Sequence, residues 1–421
     1  MKKLILLAYS FPPLSSGGTP VVLNMCRYLP ENDWEVIVVT AKNPRGMEND
    51  PSLLDELPEA LKVIRVQHGN RKIEGYSVKN TSQNPLIRFI KFVAHNYILI
   101  PDRVITWKRS VLPVLKTIIE EEKPHAIVSF GPHHSLHLIA MSAAKETALP
   151  FIPFFGDLWL EDSYVEWPSR LNRFVESLLE RTVVRKARGI IATTEASTGY
   201  FIDRYENICP PTHSAENAYD PRRLKIADTP VSDKEHLTAG WTGNFFASHS
   251  PEKLLEGLKM FYERNPVSLL RVRMAGGIDS SSLAKLKSEP LKNRVTHYGH
   301  LKWSEVPEFQ RDCDILIGYL NPRKGSHYKN ASKTAEYLVS GRTILGIVPE
   351  GAMAERIRDP GRGYTVHPDV EQIAVMLENI EYQWKTSGLR VPVDVARIEE
   401  KFSAVNVIRK MARFLDRMAA P

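Results

Sequence analysis

Cysteine is scarce in this 421-residue chain: Cys26, Cys209 and Cys313 form an odd, widely spaced set with no CxxC pair. That spacing argues against a disulfide framework and against a structural zinc site, and it fits a reducing, cytoplasmic compartment. Long hydrophobic runs are missing too. No stretch approaches the roughly 20 apolar residues that a spanning helix needs, so no segment is expected to cross a bilayer. Repeats of solenoid length, low-complexity tracts, a Walker loop and GxGxxG are likewise absent on inspection. What is present is ordinary for a globular protein. With 43% hydrophobic and 25% charged residues, the chain lacks the low apolar content of a disordered one. Its length exceeds what one core usually serves, which predicts two domains of about 200 residues each. The opening MKKLILLAYSFPP has a short apolar stretch that runs into Pro12 and Pro13 without a small-residue cleavage site, and it reads as a first buried strand.

Basic residues exceed acidic ones, 56 to 49, for a formal charge of +7. Much of the surplus falls between Pro85 and Lys116, where Arg88, Lys91, Arg103, Lys108, Arg109 and Lys116 face a single acid, Asp102. Leu86, Phe89, Ile90, Phe92, Val93, Tyr97 and Ile98 add an apolar set at roughly helical spacing. Residues 86–116 therefore suit a helix on an anionic membrane surface, or an ordinary amphipathic core helix. No recognition motif accompanies the cluster, so nucleic acid is not an expected partner.

Short β-branched runs alternate with helical patterns along the whole chain. Lys3–Ala8, Glu35–Thr40, Val63–Val66, Ala126–Phe130, Pro150–Phe154 and Gly189–Thr194 read as buried parallel strands, and so do His236–Thr242, Leu269–Ala275, Arg294–Tyr298, Asp314–Leu320 and Arg342–Val348. The expected fold class is α/β, with two Rossmann-like, doubly wound parallel sheets facing a cleft. Residues 1–210 make the first domain, 211–235 a polar, proline-containing linker, and 236–399 the second domain. An apolar helical stripe near the end, about 400–421, is expected to return to the first domain.

Open α/β sheets bind ligands at the carboxyl ends of their strands, so chemistry is sought there. After the first strand, Gly17-Gly18 opens a helix; the pair can admit an anion to backbone N–H groups or merely reverse the chain. Ser129 to His137 places His133, His134 and His137 around the start of another helix, with Ser135 as its cap. They can bind a hydroxyl or phosphate, or simply pack. Asp157, in Gly156-Asp157-Leu158-Trp159, is either an acceptor-hydroxyl partner or a cap, and Trp159 offers a face for a sugar ring. Asp312-Cys313-Asp314 precedes an apolar strand, where one aspartate is read as capping the preceding helix or beginning the strand rather than as binding a metal. Gly276-Gly277 is read as a tight turn between strand and helix.

The most informative stretch is Tyr328 to Leu345, read as a loop, a Ser332 cap, a two-turn helix, Gly341 just past its end, and a strand. Lys333 and Glu336 share a helix face at i and i+3, so one face offers a cation and a carboxylate. The pair is either a solvated ion pair or a grip on a nucleoside diphosphate, whose phosphates take a cation and whose ribose hydroxyls donate to a carboxylate.

This segment resembles the K-x-x-E-Y-L-x-x-G-x-P region of family 4 glycosyltransferases, of the GT-B architecture. Other features fall in the same order: Phe11-Pro12-Pro13 with Gly17-Gly18, Pro101-Asp102 with Trp107, Ser135-x-His137, and Asp157-Leu158-Trp159. Asn217-Ala218-Tyr219-Asp220-Pro221 and Gly243-Asn244-Phe245 continue the series. The resemblance covers nearly the whole chain. It implies a retaining, metal-independent transferase that moves a hexosyl or related sugar from a nucleotide-sugar donor to a saccharide acceptor, and the cationic and apolar character of residues 86–116 points to a lipid-linked or membrane-proximal one. No separate cofactor is expected, the donor serving as co-substrate, and the setting is polysaccharide or glycoconjugate synthesis at the inner face of the cell membrane. Gly17, Gly18, Gly243, Asn244, Ser332, Lys333 and Glu336 are the expected donor contacts. Lys333, Asp157, His134 and His137 are the expected catalytic groups. Two departures stand out. Tyr328 replaces the first carboxylate of the family's E-x7-E pair, and Gly156 stands where relatives carry Arg. A sugar-nucleotide epimerase of the same fold, or a catalytically silent subunit of a polysaccharide-assembly complex, are the alternatives.

Overall fold

The structure is a computed structural model that describes residues 1–42, 48–69, 97, 99–227, 235–245, 249–389 and 393–420. The chain divides into two compact units. The first comprises Met1–Asp162, Glu166–Glu216 and Ala404–Pro421, the second Ser163–Val165 and Asn217–Ser403.

In the first unit seven strands form one parallel sheet: β1 (Lys2–Ala8), β2 (Trp34–Lys42), β3 (Lys62–Gln67), β4 (Ala126–Gly131), β5 (Phe151–Phe155), β6 (Ile190–Ala192) and β7 (Thr212–Ser214). Their spatial order is β3-β2-β1-β4-β5-β6-β7. Register follows burial. Leu4, Ile5, Leu6 and Leu7 are fully buried and lie opposite Val36 to Val39 in β2 and Ala126 to Ser129 in β4. A strand covered on both faces keeps every side chain dry, and hence reads as a continuous apolar run. The helices are α1 (Thr19–Tyr28), α2 (Lys108–Glu122), α3 (Ser135–Lys145), α4 (Arg170–Lys186) and α5 (Glu195–Tyr205).

The second unit repeats the plan with β8 (Leu237–Thr242), β9 (Leu270–Ala275), β10 (Val295–His297), β11 (Ile315–Tyr319), β12 (Thr343–Ile347) and β13 (Gly363–Val366), ordered β10-β9-β8-β11-β12-β13. That order reverses between β8 and β11, the switch point where doubly wound sheets open a ligand crevice. Its helices are α6 (Glu252–Arg264), α7 (Ser280–Leu286), α8 (Val306–Arg311), α9 (Lys333–Val339), α10 (Ala352–Arg358), α11 (Val370–Thr386) and α12 (Val395–Phe402).

The last helix, α13 (Ala404–Ala419), belongs to the first unit. Its Asp416 takes the Lys2 ammonium at 2.8 Å and the indole N–H of the fully buried Trp34 at 3.0 Å. Phe414 stacks on His213 of β7, ring centres 5.2 Å apart.

Several local expectations need correction. Thr212–Ser214, read as linker, is an edge strand because its backbone pairs with β6. Residues 217–227 are no free connector either: Asn217 donates to the Asn330 carbonyl at 2.6 Å, and Arg356 donates to the Asn217 carbonyl. Asp314 needs no such correction and stands at the start of its strand, as one of its readings had it. Its carboxylate accepts the Thr238 N–H at 2.8 Å, which ties the amino end of β11 to β8. The proposed membrane stretch is only partly visible, since residues 86–96 and 98 lie outside the described residues. Farther along it, α2 buries Val111, Leu115, Ile118 and Ile119 against the unit, with Lys108 on Ser142 and Lys116 on Glu146. Among the described residues no helix is long and apolar enough to cross a membrane.

Gly240, central in β8, leaves room for the Cys313 thiol, which a Cβ would overlap. Gly240→Ala is expected to lower the urea stability of the protein by about 1–3 kcal/mol through overpacking, with part of the loss recovered in Gly240→Ala/Cys313→Ala. An unchanged unfolding midpoint for the single variant would refute this packing account.

Candidate functional site

The candidate site of the second unit is assembled at the carboxyl end of β8. There α9 docks by two side chains. The Lys333 ammonium donates to the Thr242 carbonyl at 2.7 Å and sits 4.5 Å from the centre of the Trp241 ring. One turn on, the hydroxyl of the fully buried Tyr337 lies 3.0 Å from Thr242 Oγ1 and accepts the Thr242 N–H at 3.3 Å. Burial brings the pKa of Lys333 down to about 7. Burial also pushes His249 down to about 3, helped by the charges of Lys333 and Lys329.

Glu336 lies between those two anchors in sequence and points elsewhere. Its carboxylate takes the Arg223 guanidinium at 2.9 Å, and its side chain keeps 13% exposure. Arg223 in turn stacks 4.2 Å from the Trp303 ring and donates to the Trp303 carbonyl at 2.9 Å. Lys333 and Glu336 thus find different partners, and the solvated i,i+3 ion pair is not what forms. Ser332 makes no capping bond. Gly341 does lie just past the helix, with φ 79°.

Beside Lys333, the turn after β8 meets the turn after β9. Asn244 accepts the Gly277 N–H at 2.6 Å, while the Gly243 N–H donates to Ala275 at 2.9 Å. A Cβ on Gly276, whose φ is +119°, would collide with the Gly243 carbonyl, so the backbones meet there because position 276 is glycine. Tyr328, eight residues before Glu336, lies in a short 3-10 turn with its ring 3.9 Å from His327.

In the first unit the histidine region is organised by Asp102. Its carboxylate caps the 3-10 turn Arg103–Trp107 through the Val104 N–H at 2.9 Å. It also accepts the Ser135 N–H at 3.0 Å and the Ser135 hydroxyl at 2.9 Å. Ser135 is therefore the first residue of α3 and not its cap; the carboxylate from a distant loop does the capping. Trp107 is fully buried and donates to the Val66 carbonyl at 3.2 Å.

His137 is enclosed. Its Nδ1 lies 2.8 Å from Ser129 Oγ, and burial, then the neighbouring His134, hold its pKa well below the usual value. His134 stacks flat on Trp159, centres 4.9 Å apart. Trp159 is 1% exposed and donates to Glu176 at 2.7 Å. Its face is covered by a side chain, so it cannot serve a sugar ring as the sequence suggested. The histidine with an exposed ring is His133, with Nδ1 3.7 Å from Asp102. Asp157 is half-buried just past β5, next to Gly156, whose N–H donates to the Gly131 carbonyl at 2.7 Å. Gly18 approaches Phe130 closely, whereas nothing lies near the missing side chain of Gly17.

Residues 16–212 match the model of the glycosyl transferase 4-like domain. That match covers just under half of the chain, nearly all of it in the first unit. Among solved structures, HepE of Anabaena, in complex with UDP and glucose, is 13% identical with a TM-score of 0.68, covering 99% of this chain and 100% of its own. Sucrose-phosphate synthase of Thermosynechococcus elongatus is 12% identical at TM-score 0.64, over 100% and 96%. S. aureus TarM, in complex with fondaparinux, α-GlcNAc-glycerol and UDP, is 12% identical at 0.65, over 99% and 100%. The fold of the chain is GT-B. No curated protein matches it in sequence.

Three groups are not legible in the sequence. Arg223 stands 113 residues from Glu336, a distance no local spacing reveals, although it lies two residues after Asp220-Pro221. Glu176 and Glu180 are the others. Glu180 is fully buried and accepts from Tyr200 at 2.8 Å, Tyr205 at 2.5 Å and the Leu160 N–H at 3.2 Å. Two glutamates on a helix ordinarily read as a solvated face, and only the surrounding tyrosines and tryptophan show otherwise.

Burial raises the Glu176 pKa to about 7. The folded protein then holds a proton that the unfolded chain releases between about pH 4.5 and 7, so this group makes stability fall as pH rises through that window. Glu176→Gln keeps an acceptor for Trp159 and removes the cost of ionisation. It is expected to gain on the order of 1 kcal/mol above pH 7, after allowance for solvent screening, and nothing at pH 5. Melting temperatures across pH 5–8 check this; parallel curves for the two proteins would contradict it.

Proposed function

We propose that this chain is a retaining, metal-independent glycosyltransferase that moves a sugar from a nucleotide-sugar donor to a saccharide acceptor. The observation that carries the reading is the division of labour on α9. Lys333 and Tyr337 bind the helix to the carboxyl end of β8, while Glu336 keeps part of its carboxylate surface exposed on Arg223. Ribose hydroxyls of the donor would donate to Glu336 in exchange for part of its contact with Arg223. The diphosphate would take the Lys333 ammonium and the backbone beside Gly243 and Asn244.

As the anomeric C–O bond breaks, negative charge gathers on the diphosphate. A cation already placed in a buried setting stabilises that charge by about a few kcal/mol. No protein nucleophile is required, because the departing phosphate can accept the proton of the incoming hydroxyl. Asp157 and His133 of the first unit are the side chains offered to the acceptor. HepE and TarM are described with UDP, so UDP-linked hexoses are the first donors to test. A lipid-linked acceptor in polysaccharide or glycoconjugate synthesis, met at the cytoplasmic membrane face, suits the cations between Arg103 and Lys116.

Glu336→Ala is expected to weaken UDP binding at least about tenfold, or 1.4 kcal/mol, by calorimetry, with the melting temperature little changed. Undiminished affinity would remove the ribose assignment. Lys333 generates a second expectation. With a pKa of about 7 it is mostly neutral at pH 8 in the free protein, and a bound diphosphate would restore its charge. UDP binding should therefore take up protons at pH 8 and much less at pH 6, read as a dependence of binding heat on buffer ionisation enthalpy. Lys333→Met should abolish the uptake. The same uptake in wild type and variant would show that Lys333 does not face the phosphates.

A further inference from the structure

Helix α4 turns an apolar and cationic face to solvent. Leu171, Phe174 and Leu178 are 63%, 60% and 49% exposed, and their i, i+3, i+7 spacing places them in one stripe. Arg170, Arg181 and Arg185 fall in the same stripe, four residues before Phe174 and three and seven after Leu178. All three are exposed and enter no ion pair among the described residues. The acids of the helix are turned the other way. Glu176 is held by Trp159, and Glu180 by Tyr200 and Tyr205.

A surface helix of an α/β unit ordinarily keeps polar residues on its outer side. Here the outer side is a stripe of large hydrophobes flanked by arginines, with no carboxylate paired to them among the described residues. We propose that this face of α4 docks the protein on an anionic lipid surface. Leu171, Phe174 and Leu178 would enter the boundary between headgroups and acyl chains, and the arginines, on long stems, would stay level with the lipid phosphates. The complementary charge favours lipid over a second copy of this chain, whose matching face would bring the same cations together. The inference stands on α4 alone and is separate from the donor chemistry and from residues 86–116.

The test is sedimentation of the full chain with vesicles of phosphatidylcholine alone, or with about 30% phosphatidylglycerol. Binding to the anionic vesicles, weakened by salt, is expected. Phe174→Ser/Leu178→Ser and Arg181→Glu/Arg185→Glu should each reduce it at least about tenfold, with melting temperature and UDP affinity as in wild type. Having two independent exposed pairs separates loss of docking from loss of folding. The inference is overturned if anionic vesicles are not bound, or if both double variants bind as wild type does. It is equally overturned if their sole effect, by light scattering, is to convert a dimer to a monomer, which would assign the face to a second copy.

Discussion

The carboxyl end of β8 is where the second unit commits its backbone to a site. A strand that stops at Thr242 leaves a carbonyl and an N–H that the sheet no longer pairs, and unpaired buried backbone groups are costly. Here α9 meets both: Lys333 takes the carbonyl, and Tyr337 takes the N–H and the side-chain hydroxyl. Because those residues are four apart they lie on one helical face, and the helix is clamped by two successive turns. Glu336 is then forced off that face toward Arg223. The position of the carboxylate is a consequence of satisfying the strand.

Burial gives the same interaction its electrostatic character. An ammonium over an indole ring and a carbonyl is held by hydrogen bonding and quadrupole, with no carboxylate to neutralise it, and so its pKa falls. A cation kept in that condition is stabilised by any incoming anion more than a solvated one would be. The first unit solves a parallel problem with the opposite sign. Asp102 satisfies the starts of two segments, while Glu180 is buried among hydroxyls and an N–H that supply the hydrogen bonds water would have supplied. These carboxylates organise the surroundings of His134 and His137, and they leave His133 as the exposed ring.

How much of this was legible varies from residue to residue. The eleven apolar runs became parallel strands with ends shifted by a residue or two; the central ones are buried on both faces and apolar throughout, whereas Lys62–Gln67 and Val295–His297, read as buried, are partly exposed edge strands. Thr212–Ser214 and Gly363–Val366 were not read as strands: both are short edge strands, which need little hydrophobicity. Trp159 was misread because its chemistry suits a sugar platform equally well; its burial depends on Glu176 and His134, which are remote in sequence. Ser135 was misread as a cap because a serine at a helix start usually is one, and only the loop carrying Asp102 displaces that role.

The amino-acid order alone determined the alternation of strand and helix, the two doubly wound halves and the segment that bears Lys333 and Glu336, because those depend on periodicity and on neighbours within a turn or two. Tertiary structure decided what the charged groups do. Whether Glu336 meets Lys333 or Arg223, whether a histidine is enclosed or open, and which face of α4 stays dry depend on elements brought together from tens to hundreds of residues apart. Charge, unlike hydrophobic pattern, takes its energy from the environment rather than from the side chain itself.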